Sequence, residues 1–461
     1  MASSGPFPPE IIQGIVYYLS HDWISLSGEN PPRPGAFKSW MRIRGCSRYA
    51  TVNKAWQVAI ERETFAQLSL NLGRLAEAEA ILNGVPRRQK YVRSIRLNVV
   101  LPRPDPTLPK PHLETAEERN QKNRAVQDTF EAFLSTLSHW TPGPPVKLRL
   151  DAFALNDDGR REKPELPSYR AAHEQYHLPL ELEDPERVLH LGPVNVITEV
   201  DTETDELESR RFSGAAICTL VARLPTARKV HILWHHTKDN LEERSEFNQA
   251  LNNITHAIDK FSLVGSYFSE FSQPPVRRND QREAKPDELS RSLRKISQRS
   301  QVFNLCDVAI SDEIFLRHNL VPKMASPAHW ARLKTFYIQY PLITPSGEWL
   351  FYHNPGVSNN QMGSIVPYPA LQRRYLAAAR AALEMPLLED MSLDASINIE
   401  NEWHKFCYSY NKKNKSVKAI WTSSSGFVPE NEVLEAWREV PRKHLDGKEL
   451  VVEILDDEWA V

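Results

Sequence analysis

Helix-like and strand-like segments alternate along most of this chain, and that order restricts the folds open to it. Leu68 and Leu70 alternate with Gln67 and Ser69, and Ile95, Leu97, Val99 and Leu101 alternate with Arg96, Asn98 and Val100. Apolar residues every second position mark a half-buried strand. Between the two strands Leu75, Ala78, Ile81 and Leu82 recur at helical spacing. The order then repeats. Ala125–Leu137 reads as a helix before a strand at Val146–Leu150, and Ala215–Leu224 precedes Lys229–Trp234. Leu289–Ser300 precedes Val302–Ile310, and Leu333–Ile338 is a further strand. Leu371–Leu383 precedes Glu389–Leu393, followed by Val417–Trp421. A last helix at Pro429–Trp437 leads to a strand at Leu450–Leu455. Parallel neighbours need a crossover, and the intervening helices supply one. The expectation is an α/β body whose strands near Leu68, Ile95, Leu148, Val230, Leu305, Phe336 and Met391 are sheet neighbours in chain order.

The spacing adds a period. Leu68 to Ile95, Leu70 to Leu97 and Leu393 to Ile420 are each 27 residues, inside the range of about 20–29 for strand-plus-helix leucine-rich repeats. The middle spacings are irregular, so insertions are expected at Asn156–Arg187, at the acidic Glu199–Glu208 and at Pro274–Asp287. With 34 prolines and 17 glycines, the elements should be short and punctuated, with few phosphate-cradling loops.

The first 64 residues read differently. Phe7-Pro8-Pro9-Glu10 sets prolines where a first helical turn tolerates them. Ile11, Ile12, Ile15, Val16 and Leu19 follow as an apolar helical face. A Ser/Gly/Asn/Pro-rich loop from about His21 to Pro34 comes next, and then a second helical stretch, Tyr49–Glu63, with Val52 and Trp56 on one side.

Phe-Pro-x-Glu before an apolar helix, with Val52-Asn-Lys54-Ala-Trp56 closing the segment, resembles the F-box. Glu61-Arg-x-Thr-Phe65, Arg87-Arg88-x-x-Tyr-Val-Arg-x-Ile-x-Leu97, Leu220-x-x-x-Leu224-Pro, Glu435-Ala-Trp-Arg and Gly447-x-Glu-Leu-Val-Val look like a family of filamentous-fungal F-box-like proteins. Phe7 stands where that motif has leucine, and the gap from Leu19 to Tyr49 is about twice what the compact motif needs. The resemblance implies a small N-terminal all-helical F-box-like unit over residues 1–64. An irregular leucine-rich-repeat-like α/β solenoid would follow over residues 65–461. It also implies a non-enzymatic substrate-recognition subunit that binds a Skp-type adaptor and cullin ligase. The adaptor face would be Phe7, Pro8, Ile11, Ile12, Ile15, Leu19, Val52 and Trp56, and the body would hold a protein substrate. Two other readings remain open: a repeat scaffold merely capped by the N-terminal helices, and an α/β hydrolase.

Other features bound the function. With 57 Lys+Arg against 59 Asp+Glu, a globally basic nucleic-acid binder is excluded. No apolar run reaches the roughly 18–20 residues of a membrane span, and Met1–Pro9 does not read as a secretory signal. Cys46, Cys218, Cys306 and Cys407 form no CxxC. An intracellular chain, cytoplasmic or nuclear, with reduced thiols is expected. No P-loop, GxGxxG or GxSxG occurs, so neither cofactor nor catalytic residue is assigned. His231-x-x-x-His235-His236 and His404-x-x-Cys407 lack a placed third ligand, so no metal is assigned either. Arg87-Arg88-Gln-Lys90 and Lys412-Lys413-Asn-Lys415 read as solvated loops, with nuclear import or phosphate contact as the sharper option. Of 11 tryptophans, Trp234, Trp330, Trp349, Trp403 and Trp421 fall near strand ends, where they fill a core or anchor a partner.

Overall fold

The computed structural model describes residues 8, 10–13, 15–16, 50–103, 114–141, 143–154, 179–203, 210–235, 241–266, 286–316, 329–353, 365–397 and 402–455. The chain is mixed α/β and divides into two compact units, residues 1–212 with 219–227 and residues 213–218 with 228–461. The helix Lys54–Ala66 runs directly into a strand at Gln67. Phe7, Leu19, Cys46, Tyr49, the 21–34 loop, most of Asn156–Arg187 and nearly all of Pro274–Asp287 lie outside the described residues.

The first unit carries β1 (Gln67–Leu70), β2 (Ser94–Leu101), β3 (Val146–Ala154) and β4 (Ile197–Asp201). They pair in parallel and in chain order, with Leu68 opposite Ile95 and Ile95 opposite Leu148. The 27-residue spacing is therefore a true register, Gln67 to Leu70 lying against Ser94 to Leu97. Strand β4 corrects one expectation, since part of the acidic Glu199–Glu208 stretch is not an insertion. Ile197 and Val200 are buried, and Lys147 meets both Glu199 and Asp201 at 2.8 Å. The lysine compensates the acidic residues across the ladder.

The helices before and between these strands start where side chains cap them. Asn53 accepts from Ala55 and Trp56 N–H, and Asn71 accepts from Arg74 N–H. Thr115 and Glu118 form a reciprocal capping box at Ala116–Ser138. Along that helix Val126, Phe130, Phe133, Leu134 and Leu137 are buried at helical spacing, and it packs on β2.

The second unit carries β5 (Lys229–His235), β6 (Lys260–Ser266), β7 (Val302–Cys306), β8 (Thr335–Tyr340), a small hairpin of β9 (Phe351–His353) and β10 (Ile365–Pro367), then β11 (Asp390–Ala395), β12 (His404–Asn411), β13 (Ser416–Ser423) and β14 (Val451–Leu455). Strands β5 to β8 and β11 are parallel neighbours in chain order. Phe261, Phe303, Phe336 and Met391 share one register line. The three rings stack at 5.6 and 5.4 Å between centroids, so each strand pairing also buries an aromatic contact.

The end of the sheet departs from the parallel order. Strand β12 runs antiparallel to both β11 and β13. The 27 residues from Leu393 to Ile420 therefore span a meander, not a repeat unit, and Leu393 faces Phe406. The Lys412–Lys415 stretch is its hairpin turn, held by Asn411 and Asn414 side chains that accept from Lys413 and Ser416 N–H. Trp234 and Trp421 are fully buried and Trp330 nearly so, which makes them core rather than rim.

Candidate functional site

At the N-terminus, helical residues 10–13 and 15–16 lie against the helix Lys54–Ala66. Ile12, Val16, Ala59 and Ile60 form the closed core, with Ala50, Ala55 and Trp56 packed at its edge. Arg62 donates to the Gln13 side chain at 3.0 Å. Successive helix residues point about 100° apart, so two adjacent isoleucines divide the work. Ile12 is an internal contact at 0% exposure, whereas Ile11 is 49% exposed. Val52 is 59% exposed, Pro8 is exposed, and Ile15 and Trp56 are intermediate. Of the eight expected adaptor-face residues, the structure places Pro8, Ile11 and Val52 in solvent, Ile15 and Trp56 part-way, and Ile12 inside.

The same helix is tied to the sheet layer. Glu61, 6% exposed, accepts from Arg87 at 2.9 Å and from Arg88 at 2.8 Å. Burial alone would raise its carboxyl, but the two guanidiniums hold it below the ordinary range. The Arg88 guanidinium also sits over the Phe65 ring. Arg87-Arg88 is thus an internal clamp, which corrects the reading of that stretch as a solvated loop or import signal.

Each unit's sheet buries one face under helices and leaves the other half-exposed. In the first unit the open face is an ion-pair lattice. Arg96 pairs with Asp151, and Asp201 receives Lys147 at 2.8 Å and Arg149 at 3.7 Å. Burial would raise Asp201, yet Lys147, the Glu203 N–H and Arg149 hold it low.

In the second unit the open face is built otherwise. Asn304, Tyr337, Ser392 and Cys407 form one register row across β7, β8, β11 and β12. Cys306, Gln339, Asp394 and Lys405 form the next, at the carboxyl ends of the parallel strands. All eight are partly exposed. Asp307 follows at the end of β7 with φ 53 and donates its N–H to Gln339 O at 2.8 Å. A Cβ on Gly265 would collide with the Asp307 carbonyl, so that close passage requires glycine. Burial raises both carboxyls above the ordinary range. Ser392, Lys405 and Tyr337 offset this only in part at Asp394, as does Ser396 at Asp307. Among the described residues, no arginine or lysine pairs with either carboxyl at ion-pair distance. The Cys306 thiol is pushed up to about 11 by burial, with Asp307 and Asp394 adding to it, and so is a weak nucleophile.

A family of unknown function (DUF6546) matches residues 224–458, just over half of the chain. The chain belongs to the DUF6546 family. No curated protein matches it. The DUF6546 match begins just before β5 and ends just after β14, so it contains every described strand of the second unit and its open face.

Inside the DUF6546 region lies one polar network that a hydrolase reading would need to use. Tyr375 Oη is 2.6 Å from His404 Nε2, and His404 Nδ1 is 2.9 Å from Ser423 Oγ. A serine and a histidine meet, but the third partner is a tyrosine, and each of the three is at most 2% exposed. Burial pushes the imidazole down to about 3, so it is neutral. This is a satisfied core network. Cys407 lies three residues along β12 from His404, on the opposite face of the strand, so the two cannot ligate one ion. His231 sits partly exposed on β5, and His236 lies outside the described residues. No described helix is long and apolar enough to cross a membrane.

Proposed function

We propose that the chain is a non-enzymatic recognition subunit of a Skp–cullin–F-box-type ubiquitin ligase. Its N-terminal helices bind the Skp-type adaptor, and a leucine-rich-repeat-like body holds a protein substrate. One observation carries the reading. The N-terminal helical pair closes its own core with Ile12, Val16, Ala59 and Ile60 yet leaves Pro8, Ile11 and Val52 in solvent. The parallel register of Leu68, Ile95 and Leu148 supports the repeat-like description of the body. Such a subunit acts by proximity, raising the effective concentration of a charged conjugating enzyme beside its substrate.

The test is co-purification with a Skp-type adaptor. Ile11→Asp with Val52→Asp alters only exposed positions, so the fold and melting temperature should hold while adaptor binding falls at least about tenfold, the equivalent of roughly 1.4 kcal/mol. Wild-type protein that does not bind the adaptor at micromolar concentration overturns the reading, as does a folded double variant that binds equally well. The scaffold alternative draws on a different observation, the Glu61 clamp onto Arg87 and Arg88, which fastens the helical pair to the sheet layer as a cap would be. Ile12 is unsuited to the binding test, since an aspartate there would open the pair's core.

A further inference from the structure

The open face of the second unit's sheet has a charge pattern that the described residues leave incomplete. Asp307 and Asp394 stand at the carboxyl ends of β7 and β11, the two parallel strands that flank β8, where open α/β sheets commonly seat ligands. Both are half-buried, so each carries part of the desolvation cost of an ionised carboxyl. Serine hydroxyls answer them, Ser392 at 2.6 Å from Asp394 and Ser396 beside Asp307. A hydroxyl donates a hydrogen bond but supplies no charge. Lys405 is opposite Asp394 in register and attracts it, without closing to an ion pair among the described residues. That half-exposed ammonium acts on Asp394, and among the described residues Asp307 is met by the Ser396 hydroxyl alone. The Tyr337 hydroxyl hydrogen-bonds Asp394 and its ring lies on the same face, the combination that receives a guanidinium or ammonium by charge and by π-face. The neighbouring row, Asn304, Ser392 and Cys407, is uncharged and hydrogen-bonding, which suits the backbone of an extended segment rather than a second charge.

We infer that this face docks an extended segment of a partner protein that delivers an arginine or lysine side chain to Asp307, Asp394 and Tyr337. The inference deepens the proposed function by giving the substrate segment a chemistry, and in that respect it rests on the body being the partner-binding part. The first unit argues for charge complementarity by contrast. Its open-face carboxylates Asp151, Glu199 and Asp201 already hold cations, so an incoming cation gains little there.

The full chain, immobilised, is offered four nine-residue peptide pools that are degenerate at eight positions and fixed at the centre as arginine, lysine, citrulline or glutamate. The arginine and lysine pools should be retained at least tenfold over the citrulline pool, with the glutamate pool lowest. Citrulline keeps the shape of arginine and removes its charge, so that ratio reads charge alone. Asp307→Asn with Asp394→Asn should erase the preference, and Tyr337→Phe should weaken it severalfold. Glu453→Gln, which alters a carboxylate already paired with Lys418 on the same face, should leave it intact. Melting curves accompany each variant. The double asparagine variant should melt no lower than wild type, so a binding loss is not an unfolding loss. Equal retention of the arginine and citrulline pools overturns the inference, and so does no retention of any pool or an unchanged preference in the folded double variant. The assay contains no adaptor. Retention of cationic peptides by a chain that binds no adaptor leaves this inference standing and sinks the ligase reading, and the converse separates them equally.

Discussion

The two open sheet faces answer one problem in opposite ways. Both present carboxyl groups on a half-buried β surface. In the first unit, Lys147 and Arg149 hold Asp201 in its charged form, and its acidity is increased. In the second, Asp394 and Asp307 are met by hydroxyls and become weaker acids. The fold position does not set the protonation behaviour; the partner on the neighbouring strand does. A face whose charges are internally paired is finished as a surface. A face whose carboxyls meet no paired cation among the described residues is less stable than it could be and is open to a ligand that brings one. The second unit does pair a charge fully where it must, beneath the helices. Arg374 is 2% exposed, donates to Asp312 at 3.0 Å and to Ile310 O at 2.8 Å, and lies over the Tyr340 ring.

That contrast predicts the largest single effect. Arg374→Ala removes a buried cation that is hydrogen-bonded, stacked and packed, and it leaves Asp312 and the Ile310 carbonyl without their donor. Breaking such a pair costs about 3–5 kcal/mol. Asp312 is partly exposed and can turn to water, which places the cost toward the lower end. Denaturant melts of the full chain should show the second unit's transition moving and the first unit's unchanged. If both move equally, the two units do not unfold separately.

The next effect is a pH effect, and it separates the units by sign of charge. His404 is neutral in the folded chain, its imidazole pushed down to about 3 from the ordinary 6.5 by burial. The unfolded chain binds a proton there below about pH 6.5 and the folded chain does not, so stability falls with pH across the window from 6.5 down to about 3. Near pH 4 the loss is roughly 3 kcal/mol. The first unit's Glu61 and Asp201 are held low, so their contribution is present at neutral pH and fades only as pH falls through their depressed values. Acid should loosen the second unit first. His404→Gln keeps hydrogen-bonding capacity and removes that titration, so its stability should decline less than wild type's over the same window. A wild-type profile already flat between pH 6.5 and 4 refutes the assignment of His404 as the acid-sensitive group.

The legible parts of this fold are those where one strand's own alternation suffices. Leu68/Leu70, Ile95/Leu97 and Phe336/Ile338 put every second residue inward, and their parallel order follows from the helices between them. Five described strands escaped notice, among them the short β9 and β10 of the hairpin. Strand β4 hid in an acidic run because the lysine that neutralises it is on β3. Strand β6 contains Gly265, required by the close Asp307 carbonyl rather than by any local turn. Strand β12 was masked by the meander, although buried His404, Phe406 and Tyr408 alternate with Lys405 and Cys407 as plainly as elsewhere. The open-face cluster has no sequence spacing, since Asp307, Tyr337 and Asp394 come from three strands. The available signal was the off-face residues of predicted strands: Asn304 and Cys306, Tyr337 and Gln339, Ser392 and Asp394. At the N-terminus both isoleucines satisfied a helical pattern, and only packing on Ala59 and Ile60 shows that Ile12 points in and Ile11 out.

The smallest effect is the sharpest test of the comparison, because the same substitution should act with opposite sign on the two faces. Asp201→Asn removes a carboxylate acceptor of Lys147 and Arg149, and Lys147 keeps its pairing with Glu199. Both cations are about one-third exposed, so screening trims the loss to about 1 kcal/mol. Asp394→Asn removes a carboxyl that folding makes harder to ionise, while the amide can still accept from Ser392 and Tyr337. An aspartate whose folded pKa is raised binds more protons folded than unfolded, so it weakens the fold at neutral pH and ceases to do so in acid. Asparagine in its place should therefore stabilise at pH 7 by up to about 1 kcal/mol, the scale of one half-buried hydrogen-bonded group. That gain should vanish as pH falls through the carboxylate range, whereas the Asp201→Asn loss should shrink over a lower range. Chemical denaturation of both variants at pH 7 and pH 4 decides it. Loss of stability in Asp394→Asn at pH 7 would mean that the carboxylate already has a cation in the free chain, and the second face would then be as internally paired as the first.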